Sequence, residues 1–400
     1  MKKLQSHQWI LIAIVIFGLF LRTWQVAQNP VGLHGDEASI GYNAFSLLKT
    51  GKDQNGKFLP LAIDQFGDFR PAGYHYLDIP FVALLGLNAL AVRLPAALFG
   101  AASIVVFFLL LRTLFQNQSM AMFGSLFLAI SPWHITISRA TSESVIALFF
   151  VLLGTLWWLP ALVNGKVDKK YLIGSSVSFI ISFLFYHAAR VFVPIMLIPL
   201  MVYTISMQKD RVRIIKISVM AFFAILLALI LIFKASQGFD RPASVSILNI
   251  PGGWNGVLRQ QIGEDGTQNP FITRSFHNKL FTIGRFFLTS YFTHYTGEFF
   301  FLSNGNPVRY RVPWMGVLQF VDMLLLPVGL AVLFIDMLRK KNLVFLFILS
   351  WFAFGGVPSG LTWEDLPNIQ RASFMIPGIL AINTVGAWEL INVSKRLRTP

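Results

Sequence analysis

The chain contains no cysteine among its 400 residues, so disulfide bonds and thiol chemistry are excluded. Charge is scarce as well: 13% of the residues are Asp, Glu, Lys or Arg, against about 25% in an ordinary soluble domain. Acidic residues are fewer still, 18 against 33 Lys and Arg, for a net charge of +15. There is no internal repeat, no low-complexity tract and no RNA- or DNA-binding pattern, so the positive charge does not mark a nucleic-acid partner. The basic residues are instead grouped in short loops between apolar runs, a pattern that belongs to membrane orientation and lipid headgroups.

What the chain has in abundance is apolar sequence, 55% of its residues, with a mean hydropathy of +0.63. Long apolar runs recur from end to end and describe an all-α polytopic membrane protein. The start at Lys2-Lys3 before Trp9–Leu21 resembles a signal peptide. No small-residue cleavage site follows it, and it reads as an uncleaved first span. Ten spans fit the pattern, at roughly 8–27, 91–113, 118–137, 144–163, 171–187, 190–206, 214–234, 314–338, 342–357 and 372–391. The segment Tyr74–Leu87 is shorter and carries Asp78 and Pro80, so it reads as a helix lying in the interface.

The basic loops orient these spans. With the N-terminus cytoplasmic, Lys2 and Lys3, Arg112, Lys166 with Lys169 and Lys170, Lys209 to Lys216, Arg339 to Lys341, and Lys395 to Arg398 all fall on the cytoplasmic side. Counting Tyr74–Leu87 as a crossing would put the later clusters outside. The expected architecture is one membrane domain over 1–400 in the cytoplasmic membrane, with both termini inside. It has two large outer loops, 28–90 and 235–313, the first of which holds a helix over 37–49.

The chemistry-bearing residues gather on the outer side. Asp36-Glu37 follows the first span in Gly-Leu-His-Gly-Asp-Glu-Ala-Ser. A carboxylate next to a bilayer is costly unless solvated, paired or used. Glu143, Glu364 and Asp365 share that side with Arg70, Arg93, Arg139, Arg190 and Arg371. A carboxylate among guanidinium groups suits transfer from a phosphate-linked donor, because the acid takes the proton of the attacking hydroxyl while Arg stabilises the departing phosphate.

The motifs in their order resemble the GT-C glycosyltransferases, in the group of the protein mannosyltransferases and lipid A aminoarabinose transferases. They are Asp36-Glu37, Phe-Arg-Pro at 69–71, Ala-Val-Arg-Leu-Pro-Ala-Ala-Leu-Phe-Gly at 91–100, and Ser-Pro-Trp-His at 131–134 with Ser-Arg at 138–139 and Glu143. Trp-Glu-Asp-Leu-Pro-Asn-Ile-Gln-Arg at 363–371 completes the set. The resemblance implies a GT-C-type bundle and an inverting transferase using a polyprenyl-phosphate sugar outside the cytoplasmic membrane. By position Asp36 looks like the general base, with Glu37 beside it. Arg70 looks like the carrier-phosphate ligand, and Arg93, Glu143, Arg190 and Arg371 like further donor contacts. His34, Arg139 and Glu364 are candidates for acceptor contact or support. The acceptor is a glycolipid, a glycan or a protein, and membrane lipids are the remaining partners. No soluble C-terminal domain and no β-trefoil insert are present, and the chain stops soon after a span where many relatives continue. A short or C-terminally incomplete member is expected.

Plainer roles compete with these. Asp-Glu ahead of a helix is a common N-cap arrangement. Arg70 also fits a snorkelling headgroup anchor, and Arg93 fits a structural pair with Glu143. His34 with two acids is a poor metal constellation. A loosely held divalent ion is compatible with the acids, but metal-independent chemistry is what the close relatives imply, and no cofactor is expected. His294, Tyr295, Glu298 and Arg309 in the second outer loop receive no role. The rival class is a transporter or lipid-linked-glycan flippase. It is disfavoured by the absence of related halves and by the concentration of charge on one face.

Overall fold

The computed structural model describes residues 6–163, 166–208, 210–235, 244–265, 269–340 and 342–398. Lys2, Lys3, Lys209 and Lys341 of the expected cytoplasmic clusters lie outside the described residues. The apolar runs fold as helices, and those on the N-terminal side are α1 (Ser6–Thr23), α2 (Gly35–Thr50), α3 (Gly73–Leu85), α4 (Ala89–Phe115), α5 (Gln118–Ile130) and α6 (Pro132–Ser138). They continue with α7 (Glu143–Ala161), α8 (Lys169–Phe185), α9 (Ala189–Ser206) and α10 (Arg211–Ala235). The second long loop holds short helices at Gly253–Asp265, Pro270–Phe276 and Lys279–Phe292, and the chain ends in helices Asp322–Lys340, Leu343–Gly355, Val357–Gly360 and Met375–Arg398. One continuous apolar core runs through α4, α5, α7, α8, α9 and the last long helices.

Seven described helices are long and apolar enough to cross a membrane, and α5 with α6, bent by 52°, makes an eighth. The sequence expects ten crossings. Of the other two, α8 has 17 residues and Asp322–Lys340 carries Asp322, Asp336 and Arg339. The run expected from 314 becomes helical only at Asp322. The stretch before it is pinned across the loop by bonds from Val317 and Leu318 to the carbonyls of Phe299 and Phe300.

Residues 28–90 contain the two expected helices, α2 and α3, and between them a hairpin that apolar patterning does not reveal. Its strands are β1 (Ala62–Gln65) and β2 (Asp68–Pro71), antiparallel with Ile63 opposite Arg70. Gly67, at φ +81°, supplies the left-handed turn, and its N–H is held by Asp64 Oδ1 at 2.8 Å. The hairpin therefore fixes where Arg70 stands.

The break between α5 and α6 is set by Ser131-Pro132: Ser131 caps α6 and proline occupies its first turn. The carbonyls freed at the end of α5 need donors in an apolar interior. Arg22 of α1, fully buried, supplies them, donating to Leu128 and Ala129 at 2.9 Å, to Gly18 at 2.8 Å, and meeting His134 Nδ1 at 2.9 Å. At Gly100 of α4 an added Cβ would fall 2.4 Å from Ser138 Oγ, so only glycine allows α4 to approach α6 this closely. The close approach delivers the segment after α6, including Glu143, to the end of the bundle where α2 begins. Replacing Arg22 by Ala strands these acceptors, and we expect a loss of about 2 kcal/mol. Thermal denaturation of the solubilised protein reads it; an unchanged melting temperature would count against this role.

Candidate active site

Asp36 and Glu37 open α2. His34 is the N-cap: its Nδ1 accepts from Asp36 N at 3.2 Å, while Glu37 Oε2 accepts from His34 N at 3.1 Å, a reciprocal capping box. The ring nitrogen of His34 nearest Asp36 is thus occupied by the backbone. Capping leaves the carboxylate of Asp36 free for other partners, and it has two. Arg70 Nη1 approaches Asp36 Oδ2 at 3.0 Å and Arg309 Nη2 approaches the same oxygen at 2.9 Å.

Arg70 itself is the centre of three carboxylates. Besides Asp36 it meets Asp68 at 3.3 Å through Nε, and Glu143 lies 3.9 Å from Nη1. Burial opposes its charge, but Glu143, Asp36 and Asp68 outweigh that and hold the guanidinium more firmly protonated than usual. Burial likewise pushes the Asp36 carboxyl up, yet Arg70, Arg309 and His34 bring it below the ordinary carboxylate range. Asp36 is ionised in this arrangement.

Glu37 and Arg93 stand apart from that cluster. Arg93 of α4, fully buried, grips Glu37 with Nε at 2.9 Å from Oε1 and Nη2 at 2.8 Å from Oε2. Its remaining hydrogens reach the carbonyls of Val26 at 3.0 Å, Pro30 at 2.8 Å and Gly32. Thr141 adds its N–H and hydroxyl to Glu37 Oε1 at 3.0 and 3.1 Å. The partners are therefore Glu37 with Arg93 and Glu143 with Arg70, not Arg93 with Glu143. Neither Glu37 nor Arg93 lines the cavity described next.

A cavity of about 700 Å³ opens beside Arg70. Arg70, Glu143, Arg190, Arg309, Asp365 and Arg371 give it polar groups; Phe185, Phe233, Leu280, Ile283, Phe287 and Leu361 make the rest apolar. Arg190 donates Nε to the Phe183 carbonyl at 3.0 Å and lays its guanidinium over the Phe233 ring at 4.8 Å. Its Nη1 is buried and has no hydrogen-bond partner. Arg371 is tied to Glu364 Oε1 at 2.8 Å and to Thr362 Oγ1 at 3.0 Å, so Glu364 orients it. Arg139 is directed elsewhere, to the carbonyls of Leu21, Trp24 and Asn29 at 2.9, 2.7 and 3.1 Å, closing the end of α1. Among the described residues no group of three or more His, Asp and Glu side chains is placed to hold a metal ion.

Two residues that receive no role from the sequence belong to the site. Arg309, in the short turn Val308–Tyr310, comes from the far loop to Asp36. Gln370 bonds both the Tyr310 hydroxyl at 2.6 Å and Ser142 Oγ at 3.1 Å, fastening that loop beside Glu143. The one available signal is the Arg in Asn-Pro-Val-Arg-Tyr-Arg, which without a contact map is a loop cation among many. His294 is buried and structural: its Nε2 accepts from Asn368 N at 3.0 Å.

Comparison with known proteins bears on this geometry. The archaeal oligosaccharyltransferase AglB from Archaeoglobus fulgidus, in complex with an inhibitory peptide and a dolichol-phosphate, superimposes with a TM-score of 0.60 at 14% identity, over 98% of this chain and 51% of that one. ArnT from Cupriavidus metallidurans, bound to undecaprenyl phosphate, gives 0.54 at 12% identity over 98% and 63%. The chain has the GT-C fold. Within it, residues 70–235 match the family model for dolichyl-phosphate-mannose-protein mannosyltransferase, a stretch that includes Arg70, Arg93, Glu143 and Arg190. YkcB and YycA of Bacillus subtilis (strain 168), both named as candidate mannosyltransferases, are 27% and 25% identical over 111 and 166 residues, or 26% and 39% of this chain. The chain spans less than a quarter of the length of these curated relatives, 15% and 22%.

In this GT-C bundle the Glu37–Arg93 pair gives a pH-dependent contribution to stability. Burial raises the Glu37 carboxyl, but Arg93, Thr141 and His34 together bring it below its ordinary 4.5. A depressed folded value means the stabilisation is complete above 4.5 and is lost as the pH falls through the lower, folded value. We expect the wild-type melting temperature to fall below that pH. Glu37→Gln should melt lower near neutral pH and lose less on acidification; equal acid sensitivity in the two proteins would contradict this.

Proposed function

We propose that this GT-C protein is an inverting glycosyltransferase acting at the outer face of the cytoplasmic membrane. It moves a mannose-like hexose or a pentose from a polyprenyl-phosphate donor to the hydroxyl of a glycolipid, glycan or protein. The observation that carries the reading is the cavity, lined both by four guanidinium groups, two of them bound to the ionised Asp36, and by apolar side chains. A lipid-linked phosphosugar has the same two-part chemistry. The Bacillus relatives, named as candidate mannosyltransferases, support sugar transfer, and the dolichol-phosphate and undecaprenyl phosphate bound to AglB and ArnT support a lipid-linked donor.

In this reading Asp36 accepts the proton of the acceptor hydroxyl as its oxygen bonds the anomeric carbon from the side opposite the phosphate. The bond from that carbon to the phosphate oxygen breaks, and the polyprenyl phosphate leaves with the electron pair. A single in-line displacement inverts the centre, so a β-linked donor gives an α-linked product. Arg190, which lines the cavity, and Arg371 receive the charge of the leaving phosphate, together with Arg70. Glu143 holds Arg70 in register, and Glu37 with Arg93 positions the helix that carries Asp36. This division narrows the sequence expectation, giving Glu37 and Arg93 a positioning role in place of direct substrate contact.

The test is transfer of radiolabelled sugar from synthetic polyprenyl-phosphate donors in membranes. Asp36→Asn, at equal expression, should lower turnover by about 10²- to 10⁴-fold, the usual worth of a general base. Arg190→Ala should lower donor kcat/KM about tenfold. Full transfer by a folded Asp36→Asn protein would remove Asp36 from the role, and turnover of no donor by the wild type would overturn the reading.

A further inference from the structure

Asp36 does not itself line the cavity, but both of its guanidinium partners do. The two partners differ in their other attachments. Arg70 keeps Asp68 and Glu143 if Asp36 is taken away. Among the described residues Asp36 is the one carboxylate within ion-pair distance of Arg309, Glu143 feeling its charge from farther off; its remaining contacts are with Tyr310, through the hydroxyl and through the ring, 5.1 Å from the guanidinium carbon. It stands in a short 3-10 turn, not in a long helix, so turning its side chain from one anion to another displaces no packed element. A carboxylate oxygen held by two guanidinium groups at 2.9 and 3.0 Å is also a poor acceptor for a hydroxyl proton, because its lone pairs and charge are already engaged.

We propose that Asp36 and the donor phosphate compete for Arg309, so that a donor entering the cavity withdraws Arg309 from Asp36 and frees the carboxylate to act as base. This deepens the transferase reading and rests on it. The empty enzyme then holds its base quenched, and the acceptor meets a competent Asp36 only after the donor is seated. Donor binds first, acceptor second. The other charged groups facing Asp36 are Arg70 from β2, His34 at the cap and, across Arg70, Glu143 from α7; none is required to move.

Competition of this kind has a signature in binding alone. The probe is a polyprenyl phosphate without sugar, titrated into the purified chain in lipid nanodiscs. Asp36→Asn removes the competitor and should tighten binding severalfold, whereas Arg309→Ala should weaken it about tenfold. Removing a negative charge near the cavity favours any phosphate, so the deciding quantity is the cycle: in the Arg309→Ala background most of the gain from Asp36→Asn should vanish. Arg309→Gln carries the same cycle if the alanine variant does not fold. The exposed neighbour Arg311, changed to Ala, should leave binding as in the wild type. A gain from Asp36→Asn that is the same with and without Arg309, or an Arg309→Ala protein that binds as the wild type does, would overturn the proposal while leaving the transferase reading intact. A wild-type protein that binds no polyprenyl phosphate would overturn both.

Discussion

Two consecutive carboxylates begin α2, and the whole site depends on their being claimed by different guanidinium groups. Glu37 faces inward to Arg93, and the bond is bidentate, buried and supplemented by Thr141. Because Arg93 also gathers the carbonyls of Val26, Pro30 and Gly32, this one pair fixes the exit of α1, the start of α2 and the start of α4 together. A buried ion pair contributes less net stability than its Coulomb energy implies, since desolvation offsets much of the gain, but losing one partner leaves a costly unpaired charge. Its effect here is geometric. With Glu37 drawn into the bundle, its neighbour Asp36 is turned toward the hairpin and the far loop, where Arg70 and Arg309 meet it.

The cavity follows from that placement. Four guanidinium groups, from β2, α9, the Val308–Tyr310 turn and the segment before the last helix, line it. Part of their hydrogen-bonding capacity is used within the protein, by Asp36, Asp68, Glu364, Thr362 and backbone carbonyls. Arg190 keeps a buried, unpartnered Nη1, and Arg309 has, among the described residues, one ion-paired carboxylate that an entering anion can replace. A buried cation with an open donor is unfavourable unless an anion completes it. The electrostatics therefore leave room for one compact anion, attached to something apolar enough to lie along Phe233, Leu280 and Phe287.

Much of this was legible in the sequence, for identifiable reasons. Helices long enough to cross a membrane announce themselves by apolar length, but residues 118–137, expected as one span, bend by 52° at Ser131-Pro132, which apolar length does not register. The short helix expected over Tyr74–Leu87 is found as Gly73–Leu85; its interfacial placement rests on the basic loops. Asp36 and Arg70 stood out because carboxylates and guanidinium groups are rare in so apolar a chain, and the structure brings them to 3.0 Å. What was hidden is contact between distant segments. Glu37 could not be separated from Asp36 by inspection, since adjacent residues share every local property and differ only in which way the helix turns them. Arg93 looked equally suited to Glu143 or to substrate, and only packing decides that it meets Glu37. Arg309 lies in a loop with no periodicity, so nothing local distinguishes it from Arg311. The helix starting at Asp322 was expected to begin earlier because hydrophobicity does not register the strand-like bonds that hold residues 317 and 318 to the far loop.

The central claim is that the guanidinium-lined cavity receives the phosphate of a lipid carrier beside Asp36. A cryo-electron microscopy structure of the chain with a polyprenyl phosphate tests it most directly. The account predicts phosphate oxygens within hydrogen-bonding reach of Arg190 and Arg309, about 3 Å, with the polyprenyl chain along Phe233, Leu280 and Phe287. A lipid phosphate seated away from Arg190, Arg309 and Arg371, with these side chains arranged as they are now, would contradict it.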